Sequence, residues 1–138
     1  MTSAPIMTSP RSVSQPIRTL VVDDSVVVRT VIERILNADP HYCVVNKSSS
    51  AEQALAFLAD NKVDLVLLDI ELPGQSGLAA LPAIMEAGAG VKVAILSGKC
   101  EEGSAAAVEA LALGASDLLS KPGSGSFGKE MGNQLSEL

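Results

Sequence analysis

Residues 64–78 read DLVLLDIELPGQSGL and join a short apolar run, an acidic residue and a loop in close succession. The run Leu65–Leu68 has the length of a strand, and its lack of alternation is typical of a strand buried on both faces. Asp69 follows the run directly, and Pro, Gly and Ser then mark a loop before a helical pattern begins near Gly77. The stretch therefore predicts a buried strand that ends in a carboxylate and leads through a loop into a helix.

The same succession of strand and helix recurs along most of the chain. Further apolar runs predict strands at Thr19–Val22, Tyr42–Asn46, Val91–Leu96 and Asp117–Ser120. Helical spacing of apolar residues predicts helices over residues 25–37, 51–60, 77–87, 102–113 and 127–138. Such βα repeats predict an α/β fold with a parallel sheet covered on both faces. Right-handed crossovers with one reversal favour the doubly wound, flavodoxin-like (βα)5 arrangement, with strand order 2-1-3-4-5.

Several helix ends carry local signals. Ser25, or one of the two aspartates before it, is expected to cap the first helix. Ser50 and Gln53 fit a capping box at the second, and Gly114 is a suitable terminator for the fourth. Pro82 falls about one turn into the third helix and removes a backbone hydrogen bond, so that helix is expected to start late or to kink.

Composition and charge exclude several classes of protein. The 138 residues are 47% apolar, which suits one globular domain, and no apolar run is long enough to span a bilayer. Residues 1–17 lack the apolar stretch of a signal peptide and are predicted to be a disordered leader before a cytoplasmic domain at 18–138. A net charge of −6 without a Lys/Arg cluster argues against nucleic-acid binding. Cys43 and Cys100 form no CxxC pattern, so no zinc site or disulfide framework is predicted.

Polar side chains follow four of the predicted strands. Strand 1 ends in Asp23 and Asp24, strand 3 in Asp69, strand 4 in Ser97 and strand 5 in Lys121. In the expected strand order the functional crevice lies beyond the carboxyl ends of strands 1 and 3. Carboxylates that meet at one edge repel each other unless a divalent cation or an ammonium joins them. Mg²⁺ suits a set of oxygen ligands, and the lysine supplies a mobile point charge.

This set of groups has a definite chemical use. A metal ion, a lysine and a small hydroxyl around one central carboxylate can stabilise the oxygens of a transferring phosphoryl group. Asp69 would then be the nucleophile and would form an aspartyl phosphate. Ser97 could donate a hydrogen bond to one phosphoryl oxygen, and Lys121 could neutralise another.

The motifs together resemble the receiver domain of two-component response regulators, over about residues 18 to 138. The blocks that carry the resemblance are VVDDSVVVR at 21–29, DLVLLDIELPGQSGL at 64–78, VAILSG at 93–98 and GASDLLSKP at 114–122. The resemblance implies a phosphoprotein that takes its phosphoryl group from a histidine kinase and uses Mg²⁺. It implies these roles: Asp69 as phosphoacceptor, Asp23 and Asp24 with Asp69 as metal ligands, the Glu71 backbone carbonyl completing the metal shell, Ser97 as switch hydroxyl, and Lys121 as phosphate partner.

Finer details resemble the receiver half of the chemotaxis protein-glutamate methylesterase. They are Ser25 and Arg29 in the first block, ILNADP at 35–40, ALP at 80–82, and the Gly/Ser stretch after Lys121. The catalytic domain of that enzyme is absent from these residues. The chain is thus expected to catalyse only its own phosphorylation and dephosphorylation, and a longer parent chain would be a candidate methylesterase.

The resemblance is incomplete at the switch. Leu118 stands where many receivers carry Tyr or Phe, so the signal is expected to pass through the loop after Ser97 or through repacking of Leu118. The expected output face, formed by strand 4, helix 4 and strand 5, contacts an effector domain or a downstream protein. Two alternatives stay open: an interaction module of the same fold that is not phosphorylated, and a small-molecule phosphohydrolase, although Asp69-Ile70-Glu71 only approximates the DxD of the latter.

Overall fold

The computed structural model describes residues 15–72, 76–97 and 105–120. Within these ranges five strands alternate with four helices. In chain order they are β1 (Ile17–Val22), α1 (Val26–Asn37), β2 (Tyr42–Ser48), α2 (Ala51–Asp60), β3 (Leu65–Asp69), α3 (Gly77–Ala87), β4 (Lys92–Ser97), α4 (Ala105–Ala112) and β5 (Asp117–Ser120). The helix predicted over residues 127–138 lies outside the described residues, as does most of the predicted leader.

The strands form one parallel sheet in the order β2-β1-β3-β4-β5, which confirms the predicted doubly wound, flavodoxin-like topology. Residues of the central strand β3 alternate between two separate hydrophobic cores, one on each face of the sheet. Leu65 and Leu67 pack with α1 residues such as Ile32 on one face. Val66 and Leu68 pack on the other face with residues of α2, α3 and α4. Residues 65–68 face a hydrophobic core on one side of the sheet or the other, and this explains the continuous apolar run that precedes Asp69.

Serine side chains fix the starts of the first two helices. Ser25 caps α1, because its hydroxyl accepts a hydrogen bond from the Val28 N–H. Ser50 caps α2 and accepts from the Gln53 N–H at 3.2 Å. The Gln53 side chain accepts a hydrogen bond from the Ser49 N–H, one residue before the position that a capping box requires. The predicted helix starts are thus confirmed, with the reciprocal bond displaced by one residue.

Of the two expectations for the third helix, a late start or a kink at Pro82, the late start is wrong. Helix α3 begins at Gly77, because the Ser76 hydroxyl accepts from the Ala79 N–H and the Gly77 N–H donates to the Ile70 carbonyl. Pro82 lies inside the helix at an exposed position. Local caps at the start of the helix therefore outweigh the hydrogen bond that proline removes.

The strand boundaries differ most from the prediction in β1 and β2, by two residues each, and by one residue in β3 and β4. β1 begins at Ile17, two residues early and within the predicted leader, since the Ile17 N–H donates to the His41 carbonyl at 2.7 Å. β2 continues to Ser48, which pairs with Val22. Among the described residues, no helix has the length and apolar character needed to cross a membrane.

Candidate functional site

Three carboxylates meet at the carboxyl edge of the sheet. Asp23 and Asp24 follow β1, and Asp69 ends the neighbouring strand β3. One carboxylate oxygen from each of the three residues lies within 4.8 Å of the other two. Asp23 and Asp69 are fully buried, whereas Asp24 is exposed. We call these three residues the acidic triad. Parallel strands end at the same edge of a sheet, and this is why residues 45 positions apart in sequence converge.

The main chain and carboxylate of Asp23 are held from three directions. Its N–H donates to the Ser48 carbonyl at 3.0 Å and so extends the pairing of β1 with β2. Its Oδ1 accepts from the Ser25 N–H at 2.8 Å. Its carbonyl oxygen accepts a hydrogen bond from the Arg29 guanidinium. The carboxylate is therefore oriented before any ligand arrives.

Asp69 is held by the loop that follows it. Its Oδ1 accepts from the Glu71 N–H at 2.9 Å, and the Ile70 N–H donates to the Leu96 carbonyl of β4. Gly77 lies so close that a Cβ atom built on it would be 2.1 Å from the Asp69 carbonyl oxygen. A side chain at this position would displace the peptide that carries the predicted phosphoacceptor, so only glycine fits the observed geometry.

Two predicted site residues lie on neighbouring strands. Ser97 ends β4 at the same edge, and its backbone pairs with Ser120 of β5. Lys121 lies outside the described residues. Leu118 is half-buried in β5 and packs against the core on the α2, α3 and α4 side of the sheet. The Glu71 N–H donates to the Asp69 carboxylate. The role of the Glu71 backbone carbonyl as a metal ligand stays a prediction.

The donor set of the acidic triad fits Mg²⁺. This ion prefers oxygen ligands, and one or two carboxylates commonly bind it. Three carboxylate oxygens within 4.8 Å of one another supply such donors and repel one another when no cation is bound. The residues present at this edge are therefore chemically suited to the predicted ion.

The amino edge of the sheet carries a different group of ionisable residues. His41 is exposed, and its Nδ1 lies 2.8 Å from Oδ1 of Asp39. The pKa of Asp39 is lowered, first by the His41 backbone N–H and then by the His41 side chain. Burial raises the pKa of the neighbouring Tyr42. None of these groups lies at the edge that holds the acidic triad.

Sequence reasoning missed two residues of the site. Gly77 was noted only as part of a motif, although a glycine just after a Ser N-cap and a short loop signals a close backbone approach. Arg29 was noted only as part of the resemblance. Its contact with the Asp23 carbonyl joins a helix to a strand end, and a sequence pattern carries no signal for such a contact.

Comparison with known proteins gives a consistent set of relatives. The chain is 37% identical over 118 residues to the protein-glutamate methylesterase/protein-glutamine glutaminase of group 2 operon from Rhodospirillum centenum, covering 86% of this chain and 30% of that protein. It is 41% identical over 116 residues to the corresponding protein of Nocardioides sp., covering 83% of this chain and 32% of that protein. The chain thus spans about a third of the length of the curated relatives it matches.

Solved structures agree with this relationship. The response regulator domain of Thermotoga maritima CheB superposes with a TM-score of 0.79 at 35% identity, covering 89% of this chain and 93% of that chain. CheY6 from R. sphaeroides, solved with the P1 domain of CheA3, gives a TM-score of 0.77 at 31% identity, covering 89% and 96%. The sequence profile of the response regulator receiver domain matches residues 19–127. As the motifs at the sheet edge predicted, the chain belongs to the response regulator receiver domain family.

Proposed function

We propose that this receiver domain accepts a phosphoryl group on Asp69 from a histidine kinase in chemotaxis-type signalling. The single observation that carries the proposal is the convergence of Asp23, Asp24 and Asp69 at the carboxyl edge of β1 and β3. The relatives that are chemotaxis methylesterases support the signalling context. The Glu71 N–H on Oδ1 fixes the orientation of the nucleophilic carboxylate.

The proposed transfer is a displacement at phosphorus. A carboxylate oxygen of Asp69 attacks the phosphorus of phosphohistidine, an O–P bond forms, and the P–N bond breaks with its electron pair going to the imidazole nitrogen. Water later hydrolyses the acyl phosphate to inorganic phosphate and restores the carboxylate. Mg²⁺, held by the acidic triad and the Glu71 carbonyl, would offset charge on the phosphoryl oxygens. Ser97 and Lys121 would contact two of those oxygens.

Exposed apolar side chains support the proposed approach of the kinase. Val26 and Val27, in the first turn of α1, are 64% and 68% exposed and follow Asp24 closely in the chain. A phosphohistidine-bearing domain has to cover the rim of the site in order to reach Asp69. An apolar pair on that rim gives such a domain surface to bury. Substitution of both valines by Ser would then slow transfer from the kinase without slowing labelling by a small phosphodonor.

The proposed output face is the one formed by β4, α4 and β5. Val108 and Leu111 of α4 are 56% and 48% exposed, which supports an apolar contact with an effector domain or a downstream protein. Leu118 of β5 packs against the core that the sheet shares with α2, α3 and α4. Repacking of Leu118 on phosphorylation would bias the face between two arrangements.

The proposal also sets the scope of the activity. The chain would catalyse only its own phosphorylation and dephosphorylation, in the cytoplasm where histidine kinases present their phosphoryl groups. If it is a piece of a longer protein, its phosphorylation would control a methylesterase domain like those in the curated relatives.

Labelling with acetyl phosphate tests the proposal. Wild type should gain the mass of one phosphoryl group when Mg²⁺ is present and none in excess EDTA, as measured by intact-protein mass spectrometry. Asp69→Asn should abolish the gain, because the anionic carboxylate nucleophile becomes a neutral amide. Asp60→Asn makes the same chemical change at an exposed position of α2 and should label like wild type. Mg²⁺ binding without any acyl phosphate would instead identify a non-phosphorylated interaction module, and full labelling of Asp69→Asn would refute the site.

A further inference from the structure

Arg29 places a positive charge beside the main chain of Asp23, a member of the acidic triad. It lies in the second turn of α1, half-buried, and its guanidinium donates a hydrogen bond to the carbonyl oxygen of Asp23. Helical side chains lean toward the N-terminus of their helix, so Arg29 reaches back over the first turn to the end of β1. The carbonyl it contacts belongs to a residue of the triad. The guanidinium therefore lies beside the main chain of a residue whose carboxylate is one of the three that cluster at this edge.

The helix itself does not favour a cation at this place. The N-terminus of a helix carries a partial positive charge, and a basic side chain close to it is normally destabilising. The first turn of α1 contains no acidic residue that would offset this effect. Glu33, one turn further along α1, is paired with Lys47 of β2 at 2.7 Å. The acidic triad, to which the contacted Asp23 belongs, is then the negative charge that can balance Arg29.

We propose that Arg29 is a resident counter-cation of the acidic triad. It offsets the mutual repulsion of the three carboxylates when no metal ion is bound, and for the same reason it weakens Mg²⁺ binding. The guanidinium is charged at all physiological pH values, so this charge is permanent. The second half of the inference rests on the proposed function, since it takes the triad as the Mg²⁺ site.

The two effects have opposite signs, and this separates the proposal from a purely structural role. Loss of the charge in Arg29→Gln should lower the melting temperature of the metal-free protein, because the carboxylates lose a stabilising partner. The same variant should bind Mg²⁺ roughly three- to tenfold more tightly, because one positive charge no longer opposes the ion. A residue that only supports the packing would lower stability and leave the Mg²⁺ affinity equal or weaker.

The experiment compares wild type with Arg29→Gln, Arg29→Lys and Arg34→Gln in the full chain. Mg²⁺ affinity is measured by isothermal titration calorimetry, and melting temperature is followed as Mg²⁺ increases. Arg34 is the matched control, since it lies on α1 and is exposed, and its change to Gln removes the same charge. Arg29→Lys keeps the charge and should bind Mg²⁺ within about twofold of wild type. Arg34→Gln should also stay within about twofold.

Three results would overturn the proposal. The first is an Mg²⁺ affinity of Arg29→Gln that is unchanged or weaker. The second is an Mg²⁺ affinity of Arg34→Gln that rises as much as that of Arg29→Gln. The third is an Mg²⁺ affinity of Arg29→Lys that differs from the wild-type value by more than about twofold. A wild-type protein without Mg²⁺ binding would refute the proposed metal site instead.

A double-mutant cycle on the metal-free protein tests the interaction of Arg29 with the acidic triad, whether or not the wild type binds Mg²⁺. Asp24 is exposed, and Asp24→Asn removes one charge of the triad, so the repulsion that Arg29 would offset should be smaller in this background. Arg29→Gln should lower the melting temperature less in the Asp24→Asn background than in wild type. Equal losses in the two backgrounds would contradict the counter-cation.

Discussion

The two edges of the sheet hold similar residue types in different arrangements. At the amino edge the carboxylates are separate from one another, and each accepts from a backbone N–H: Asp64 from Arg18, Asp39 from His41 and Asp117 from Leu118. At the carboxyl edge three carboxylates share a space less than 5 Å across, and two of them are fully buried. Separate carboxylates stabilise turns and strand ends, whereas clustered ones carry mutual repulsion that a cation can relieve. Arrangement, rather than residue type, therefore marks the functional edge.

The largest effect is expected from a substitution at the carboxyl edge, beside the candidate site. In Gly77→Ala the new Cβ would lie 2.1 Å from the Asp69 carbonyl oxygen, so the peptide of the proposed phosphoacceptor must shift. We expect a loss of about 3 kcal/mol in the free energy of unfolding together with loss of labelling by acetyl phosphate. Urea denaturation and intact-mass measurements report the two quantities.

Gly114→Ala is the matched control at the amino edge. Gly114 has a φ of +114°, and a Cβ there would lie 2.8 Å from Cε of Met85. This variant should also be destabilised, by about 1–2 kcal/mol, but it should still be labelled. Loss of labelling in Gly114→Ala, or full labelling in Gly77→Ala, would remove the distinction between the two edges.

A smaller effect of the opposite sign is expected at Ser48, where β2 reaches the carboxyl edge. Its side chain is buried, and its hydroxyl has no hydrogen-bond partner among the residues that the structure describes. Ser48→Ala removes that unpaired group and keeps the carbonyl that accepts from the Asp23 N–H. We expect a gain of about 1 kcal/mol in unfolding free energy and unchanged Mg²⁺ affinity. A loss of stability would mean that the hydroxyl has a partner in the folded protein.

The smallest effect concerns pH at the amino edge. Because the pKa of Asp39 is lowered in the folded state, its ionised form stabilises the fold above the ordinary carboxyl pKa of about 4. This contribution is lost as the pH falls through the lowered value. Asp39→Asn should therefore be slightly less stable than wild type at about pH 5 and equal to it at about pH 2. Thermal unfolding of both proteins across this range measures the difference, and a constant difference would exclude the ionisation of Asp39 as its source.

The fold was predictable because its signals are local. Apolar runs, helical spacing and serine caps all lie within short windows, and together with the rules for parallel sheets they predict the strand order. The convergence of Asp23 and Asp69 followed from that order, because each residue comes directly after a predicted strand.

The remaining features depend on contacts between distant segments. The early start of β1 is set by Ile17 pairing with the His41 carbonyl. The roles of Gly77 and Arg29 come from close approaches between the end of a strand and the start of a helix. The glycine itself is a local signal for the first approach, whereas the contact of Arg29 depends on how a helix packs against a strand end, which neither residue type nor periodicity encodes.

The two-sided burial of β3 has a consequence for how receivers of this kind diverge. Each residue from Leu65 to Leu68 fills one of two cores, so substitution there is limited to apolar side chains of similar volume. The exposed Val26, Val27 and Val108 carry no such restriction. Substitutions at exposed positions of α1 and α4 can therefore accumulate and change partner preference, while the sequence of the strand that carries Asp69 is constrained by packing.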